Sequence, residues 1–206
     1  MSDPWPTTVA EARVVQERLR NRVIMSSTRR RVRLVAGIDV HVAAVSGLTW
    51  AAIALVEIDS LELVESALAA TSIRFPYVPG YLSFRELPAA LKALTLLRRS
   101  PDLLMVDGQG IAHPRRLGIA SHLGVLTDLP SIGVAKSRLI GEHPPVERAP
   151  GSRAALRDRG EHLRYHGEQA ALAEKEGNAF AAAFHLGRML LDEPDNADLK
   201  KRREQA

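Results

Sequence analysis

Three apolar runs rich in β-branched residues follow one another between residues 32 and 73: VRLVAGIDVHVAAV (32–45), LTWAAIALVEI (48–58) and LELVESALAATSI (61–73). Only short turn-like breaks, Ser46-Gly47 and Asp59-Ser60, separate them. A parallel pair needs a crossover of roughly a dozen residues or more, so strands joined this tightly must run antiparallel. The sequence therefore predicts a three-strand antiparallel meander, and everything around it has to pack on that sheet.

The pattern before and after the meander is different. TVAEARVVQERLRNRVI (8–24) spaces Val9, Ala12, Val15, Leu19, Val23 and Ile24 as an amphipathic helix, with Thr7 or Thr8 as N-cap. SFRELPAALKALTLLRRS (83–100) puts Leu87, Leu91, Leu94 and Leu97 on one helical face, with Ser83 and Glu86 spaced as a capping box. PDLLMVDG is a short apolar strand ending on an aspartate, RRLGIASHLGVLTD a helix, and PSIGVAK a second buried strand. The order helix, three strands, helix, strand, helix, strand predicts an α/β fold: a mixed sheet of meander plus parallel strands, flanked by helices.

Beyond Gly141 the composition shifts, since GEHPPVERAPGSR holds three prolines and two glycines. This divides the chain into a core (1–141), a Pro/Gly-rich linker (142–160) and an Ala/Leu/Glu-rich helical tail (161–206). The absence of cysteine rules out disulfides and thiolate metal sites, so a metal must be held by oxygen or imidazole. The first residues show no basic segment leading into an apolar run, and no stretch is long and apolar enough to span a bilayer. A cytoplasmic protein with no membrane association, acting as a monomer, is expected. The net charge of +4 is carried by the first two thirds of the chain, which makes that part the candidate polyanion-binding face.

Three acids stand at element ends or inside apolar runs: Asp39 in the first strand, Glu86 at a helix start, and Asp107 at the end of a strand. A carboxylate beside a sheet core is costly unless paired or metal-bound, and three converging carboxylates suit Mg²⁺ or Mn²⁺. In DGQGIAHPRRLG (107–118), Gly108 and Gly110 allow close backbone approach, His113 can serve as an acid or a phosphate contact, and Arg115 or Arg116 can pair with phosphates. Lys136 can stabilise charge on a scissile phosphate. Carboxylates with cations beyond them point to phosphodiester cleavage.

One more stretch is conspicuous. RFPYVPGYLSFRE (74–86) gathers Phe75, Tyr77, Tyr81 and Phe84 between prolines, in a chain with only 4% aromatic residues. Such a segment is unfit for a regular helix or strand.

GIDV around Asp39, PYVPGYLSFRE through Glu86, DGQGIAHPRRLGIASHLG around Asp107 and His113, and SIGVAKSRL through Lys136 occur in that order over residues 8–141. Together they resemble the endonuclease V family, the deoxyinosine 3′ endonucleases with a ribonuclease H-like fold. The resemblance implies that Tyr77, stiffened by Pro76 and Pro79, is a wedge inserted beside the damaged base, with Gly80, Leu82, Gly108 and Gly118 lining the pocket for the flipped base. It also implies that Asp39 and Asp107 bind Mg²⁺, that Glu86 completes the acidic site, and that His113 and Lys136 assist near the phosphate. The implied reaction is hydrolysis of the second phosphodiester bond 3′ to a deaminated base in DNA, with inosine in RNA as a further substrate.

The chain departs from the family pattern in two places. Gln109 stands where the family usually has a histidine, and after about residue 160 the family's further strand and GHR motif are missing. The tail is instead similar to half-repeats of tetratricopeptide arrays, which need neighbours to bury their apolar faces and so imply a partner. The alternative reading is a non-cleaving nucleic-acid or protein-interaction module with a partner-recruiting tail.

Overall fold

A computed structural model describes residues 4–25, 31–146, 154–158 and 196–205. The chain divides into two compact units, Met1–Leu139 and Ile140–Ala206. In the first, α1 (Val9–Arg20) precedes β1 (Leu34–Ala43), β2 (Leu48–Glu57) and β3 (Leu63–Ser72), followed by α2 (Leu82–Leu94), β4 (Leu103–Asp107), α3 (Ile119–Thr127) and β5 (Ser131–Val134). The five strands form one sheet in the order β3-β2-β1-β4-β5. The meander is antiparallel, whereas β4 runs parallel to β1, and β5 parallel to β4. Helices α2 and α3 lie in the crossover connections that parallel pairing needs.

One face of the sheet carries the core. Ala36, Ile38, Ala51, Ile53, Leu55, Leu104 and Val106 alternate along the strands and pack against Leu87, Ala89, Ala90 and Ala93 of α2 and Ala120 and Leu123 of α3. Small alanines on α2 let the helix lie close to the sheet. The start of the β1–β4 pair is pinned by Asp102, whose Oδ2 accepts from the backbone N–H groups of Arg33 and Leu34, both at 2.9 Å. Those two bonds hold its carboxyl below the usual carboxylate range.

Several expectations need correction. Helix α1 stops at Arg20 rather than running to Ile24, and of the two candidate caps Thr8 is the one used: its hydroxyl accepts from Glu11 N, and Glu11 Oε2 accepts from Thr8 N. Ser83 and Glu86 form no capping box. Helix α2 begins two residues earlier, with Tyr81 at the N-cap position and no side-chain cap, and the Ser83 hydroxyl pairs with His122 instead. Phe84, taken with the irregular segment, lies in the first turn of that helix. Strand β5 is not buried: Ile132 and Val134 are 46% and 50% exposed. An unbroken apolar run reads as a strand covered on both faces, but β5 is an edge strand with an open outer face.

The mid-helix proline has a structural answer. Pro88 has no N–H to give the Phe84 carbonyl one turn earlier. That carbonyl is instead satisfied by the indole of Trp5, whose Nε1 donates to it at 2.8 Å. Trp5 lies stacked on His122 of α3, with centroids 6.1 Å apart, and Phe84 meets the same imidazole edge-on. His122 Nδ1 pairs with Ser83 Oγ at 3.0 Å. Burial is the main cause that lowers the His122 pKa to about 4, with His113 adding to it, so the ring is neutral at pH 7.

The second unit is described in part. Gly141, Glu142 and Arg157 lie where the chain pairs as an antiparallel bridge between Glu142 and Arg157. A last helix, α4 (Ala197–Gln205), is capped by Asn196, whose Oδ1 accepts from Leu199 N at 3.1 Å. Most of the expected linker and helical tail, with the tetratricopeptide-like stretch, lies outside the described residues. No helix among the described residues is long and apolar enough to cross a membrane.

Trp5→Phe should cost about 1–3 kcal/mol of unfolding free energy, because the Phe84 carbonyl is left buried without a donor. In a Pro88→Ala background, where the helix supplies its own N–H, urea denaturation should show a smaller loss for the same change.

Candidate active site

The sheet brings the two aspartates together. Registered pairing of β1 with β4 ends at Ile38 opposite Val106. One residue further, Asp39 and Asp107 stand side by side on adjacent parallel strands, whose spacing is roughly 5 Å. Asp107 is the last residue of β4, so both carboxylates lie toward the C-terminal end of the parallel strands, where α/β sheets place ligands. The Asp39 carboxylate accepts from Val40 N at 2.9 Å, and its side chain is exposed.

Glu86 faces the pair from the first half of α2. Its pKa is raised to about 7, first by burial and then by the negative charges of Asp107 and Asp39, while neighbouring Arg85 opposes the shift. Lys136, just past β5, reaches back to Asp107, Nζ to Oδ2 at 2.6 Å. Its own pKa is raised by that hydrogen bond and by the Asp107 charge, with Asp39 contributing. The four residues thus share one electrostatic site built from three elements and a loop.

The donor set is oxygen only, and the raised Glu86 pKa, due first to burial, also carries a contribution from the negative charges of Asp107 and Asp39. That chemistry fits a hard divalent cation. Among the described residues, no three His, Asp or Glu side chains are grouped closely enough to hold a metal ion by themselves. The adjacent carboxylates of Asp39 and Asp107 could take a hard cation that keeps several of its waters.

The loop after β4 is folded against the start of α3. Gly118 N donates to Gly110 O at 2.9 Å, and a Cβ on Gly118 would lie 2.3 Å from Gln109 O. Only glycine allows that approach. Gly108, also expected in the pocket, begins this loop. Gln109, at the position where a histidine was expected, donates from Nε2 to Ser137 O at 2.7 Å and so ties this loop to the segment carrying Lys136.

His113 is buried, and its Nδ1 accepts from Arg115 N at 3.2 Å, which leaves the ring proton on Nε2. Burial, then the Arg115 charge, lowers its pKa to about 4, and a hydrogen bond with the Gly80 backbone works in the other direction. At pH 7 it is a neutral imidazole rather than a cation. Arg115 is half-buried and engaged with protein groups: its Nη2 donates to Gly80 O at 2.6 Å and its guanidinium lies 4.0 Å over the Tyr81 ring. Arg116 Nη1 donates to His113 O at 3.3 Å.

The aromatic segment separates into two roles. Phe75, Tyr81 and Phe84 join Ala12 of α1 in a second buried cluster, edged by Trp5, Val15 and Val78. Tyr77 does not join them. Held between Pro76 and Pro79, it is 70% exposed. Leu82 opens α2, directly behind this loop.

Sequence reasoning missed Arg85, Gln16 and Trp5. Arg85 is half-buried beside Glu86, with a buried Nε that has no hydrogen-bond partner among the described residues. Gln16, polar on the inner face of α1, was the available signal for a buried network, since a helix stripe otherwise apolar does not take an amide without a partner. Trp5 could have been suspected from Pro88, which leaves a carbonyl in want of a donor.

Known proteins share this fold. The family model described as Endonuclease V matches residues 17–175, past residue 141 where the sequence motifs stop. The chain belongs to the endonuclease V family. An endonuclease V of Roseiflexus sp. (strain RS-1) is 54% identical over 158 residues, covering 77% of this chain and 70% of the relative. The crystal structure of the Streptomyces avermitilis endonuclease V superposes with a TM-score of 0.72 at 43% identity, over 75% of this chain and 69% of that one. A Ciona intestinalis endonuclease V, solved in complex with a 24mer DNA containing an inosine followed by a ribo-adenosine, gives a TM-score of 0.57 at 33% identity, over 63% of this chain and 57% of that one. The sheet order described above is accordingly a ribonuclease H-like fold, and an endonuclease V of this kind is a DNA-repair nuclease.

Because Glu86 holds its proton up to about pH 7, a divalent cation must displace that proton below this point. Mg²⁺ affinity measured by calorimetry should rise from about pH 6 to about pH 8, and Glu86→Gln should flatten the dependence.

Proposed function

We propose that this endonuclease V hydrolyses the second phosphodiester bond 3′ to a deaminated base, inosine foremost, with Mg²⁺ or Mn²⁺ held by Asp39, Asp107 and Glu86. The observation that carries the reading is the side-by-side placement of Asp39 and Asp107 with Glu86 titrating near neutrality against them. Bound there, the divalent ion supplies Lewis-acid activation of water and neutralises charge at the departing oxygen.

The chain's own residues do the rest. Lys136, whose ammonium already pairs with Asp107, sits where it can share that charge with a phosphate oxygen. Arg85, beside Glu86, carries a buried N–H free of hydrogen bonds among the described residues, and its charge acts on Glu86. Tyr77 is the wedge. Its ring is exposed and its backbone is restricted by flanking prolines, so it loses little freedom on entering the stack where a base has left. Gly80, Leu82, Gly108 and Gly118 line the pocket for the extruded base, read through backbone groups. His113, neutral at pH 7, contributes as a hydrogen-bonding group that shapes this pocket, not as a phosphate-binding cation. Inosine in RNA is a second substrate of the same site, because a pocket built from backbone atoms around a flipped base does not require a deoxyribose.

A labelled duplex with one inosine, incubated with Mg²⁺, should be cut once at the offset bond, leaving 3′-hydroxyl and 5′-phosphate ends. Asp39→Ala and Asp107→Ala should each slow cutting on the order of 10²-fold or more. Tight inosine-dependent binding without cutting at any Mg²⁺ or Mn²⁺ concentration would make the chain a binding module instead. Tyr77→Ala should weaken affinity for the inosine duplex about tenfold, the loss of one stacking contact, while leaving Mg²⁺ affinity unchanged.

A further inference from the structure

The loop carrying Tyr77 is held at its two ends by different means. At one end Phe75 is sunk in the aromatic cluster with 1% exposure. At the other the anchor is polar. The Gly80 carbonyl accepts from Gln16 Nε2 at 3.0 Å and from Arg115 Nη2 at 2.6 Å, and Arg115 Nε donates to Gln16 Oε1 at 2.5 Å. These three bonds close a ring that joins α1, the Tyr77 loop and the loop after β4.

Each member is committed to the ring. Gln16 is 0% exposed on the face of α1 shared with Ala12 and Leu19, where an apolar side chain would pack without the cost of burying an amide. What the amide adds is direction. Gly80 has φ of +81°, and a Cβ there would stand 2.7 Å from Arg115 Nη2, so the guanidinium occupies the space a larger residue would need. The flat guanidinium is also stacked over Tyr81, which fixes its plane. An ammonium could not serve both acceptors from one plane.

We propose that Gln16 and Arg115 are positioning residues for lesion recognition: through the Gly80 carbonyl they set the angle at which Tyr77 enters a duplex, without touching nucleic acid themselves. The inference rests on Tyr77 being the wedge. A loop fixed at both ends is ordered before binding; released at Gly80, it has to be ordered at the moment of insertion. Asp39 and Asp107 are placed by strand register, not by this ring, so the defect belongs to recognition and not to cation binding.

The test has two arms. The first uses no nucleic acid: amide hydrogen exchange at Tyr77, Val78, Gly80 and Tyr81 should quicken about tenfold in Gln16→Met and in Arg115→Met, with β1 and β4 unchanged, and Arg115→Lys should fail to restore it. Unaltered exchange in this loop would overturn the proposal. The second arm is a double-mutant cycle on binding. Arg115→Met should cut the preference for an inosine duplex over an unmodified one about tenfold, and less than about twofold once Tyr77 is alanine. An equal loss in both backgrounds, or an equal loss on both duplexes with a shallower salt dependence, identifies a direct phosphate contact and refutes positioning. No preference for inosine in the unaltered chain would fault the substrate reading instead, and the exchange arm then decides whether the ring holds the loop.

Discussion

The parallel pairing of β1 with β4 is the constraint from which the site follows. A parallel ladder has no freedom to slide by one residue without turning every side chain to the opposite face. Here Ile38 and Val106 must face the core, so Asp39 and Asp107 are forced outward together, at the same level and on neighbouring strands. Asp102 locks the other end of the ladder by accepting two backbone N–H groups of β1. Two like charges are thereby held close by core packing rather than by any attraction between them. The resulting field is what Glu86 senses, and what Lys136 partly offsets.

Helix α2 connects this acidic site to the recognition loop. Its first half carries Glu86 toward the aspartates and Phe84 and Ser83 into the interior, while Tyr81 and Gly80 just before it end the Tyr77 loop. A proline in mid-helix weakens such an element unless its lost bond is replaced. Trp5, from a segment more than seventy residues earlier, replaces it. Recognition and chemistry therefore share one short helix, whose interior contacts come from the sheet, α3 and the N-terminal segment.

Much of this was legible in the sequence. Two-residue breaks between apolar runs dictated the meander, and the two strands ending in Asp107 and leading to Lys136 gave the parallel half. The motifs around Asp39, Glu86, Asp107 and Tyr77 name the residues of the candidate site. What stayed hidden depended on contacts between distant segments. Nothing in RFPYVPGYLSFRE says which aromatics are core; only the packing of Ala12 and Trp5 separates buried Phe75, Tyr81 and Phe84 from exposed Tyr77. Ser83 and Glu86 have capping-box spacing, yet Ser83 pairs with His122 and the helix starts before both. Arg115 reads as a phosphate fork until Gln16, ninety-nine residues away, is found bonded to it.

The open outer face of β5 has its own consequence for how the protein behaves in solution. Among the described residues β5 is an edge strand, and such a strand offers backbone groups and, here, the exposed side chains of Ile132 and Val134 to another extended chain. It is only four residues long, and Lys136 and Arg138 follow it directly. Two copies approaching edge to edge would bring like charges together before many ladder bonds could form. Repulsion of this kind reaches about 10 Å at 0.1 M salt and is weakened by concentrated electrolyte.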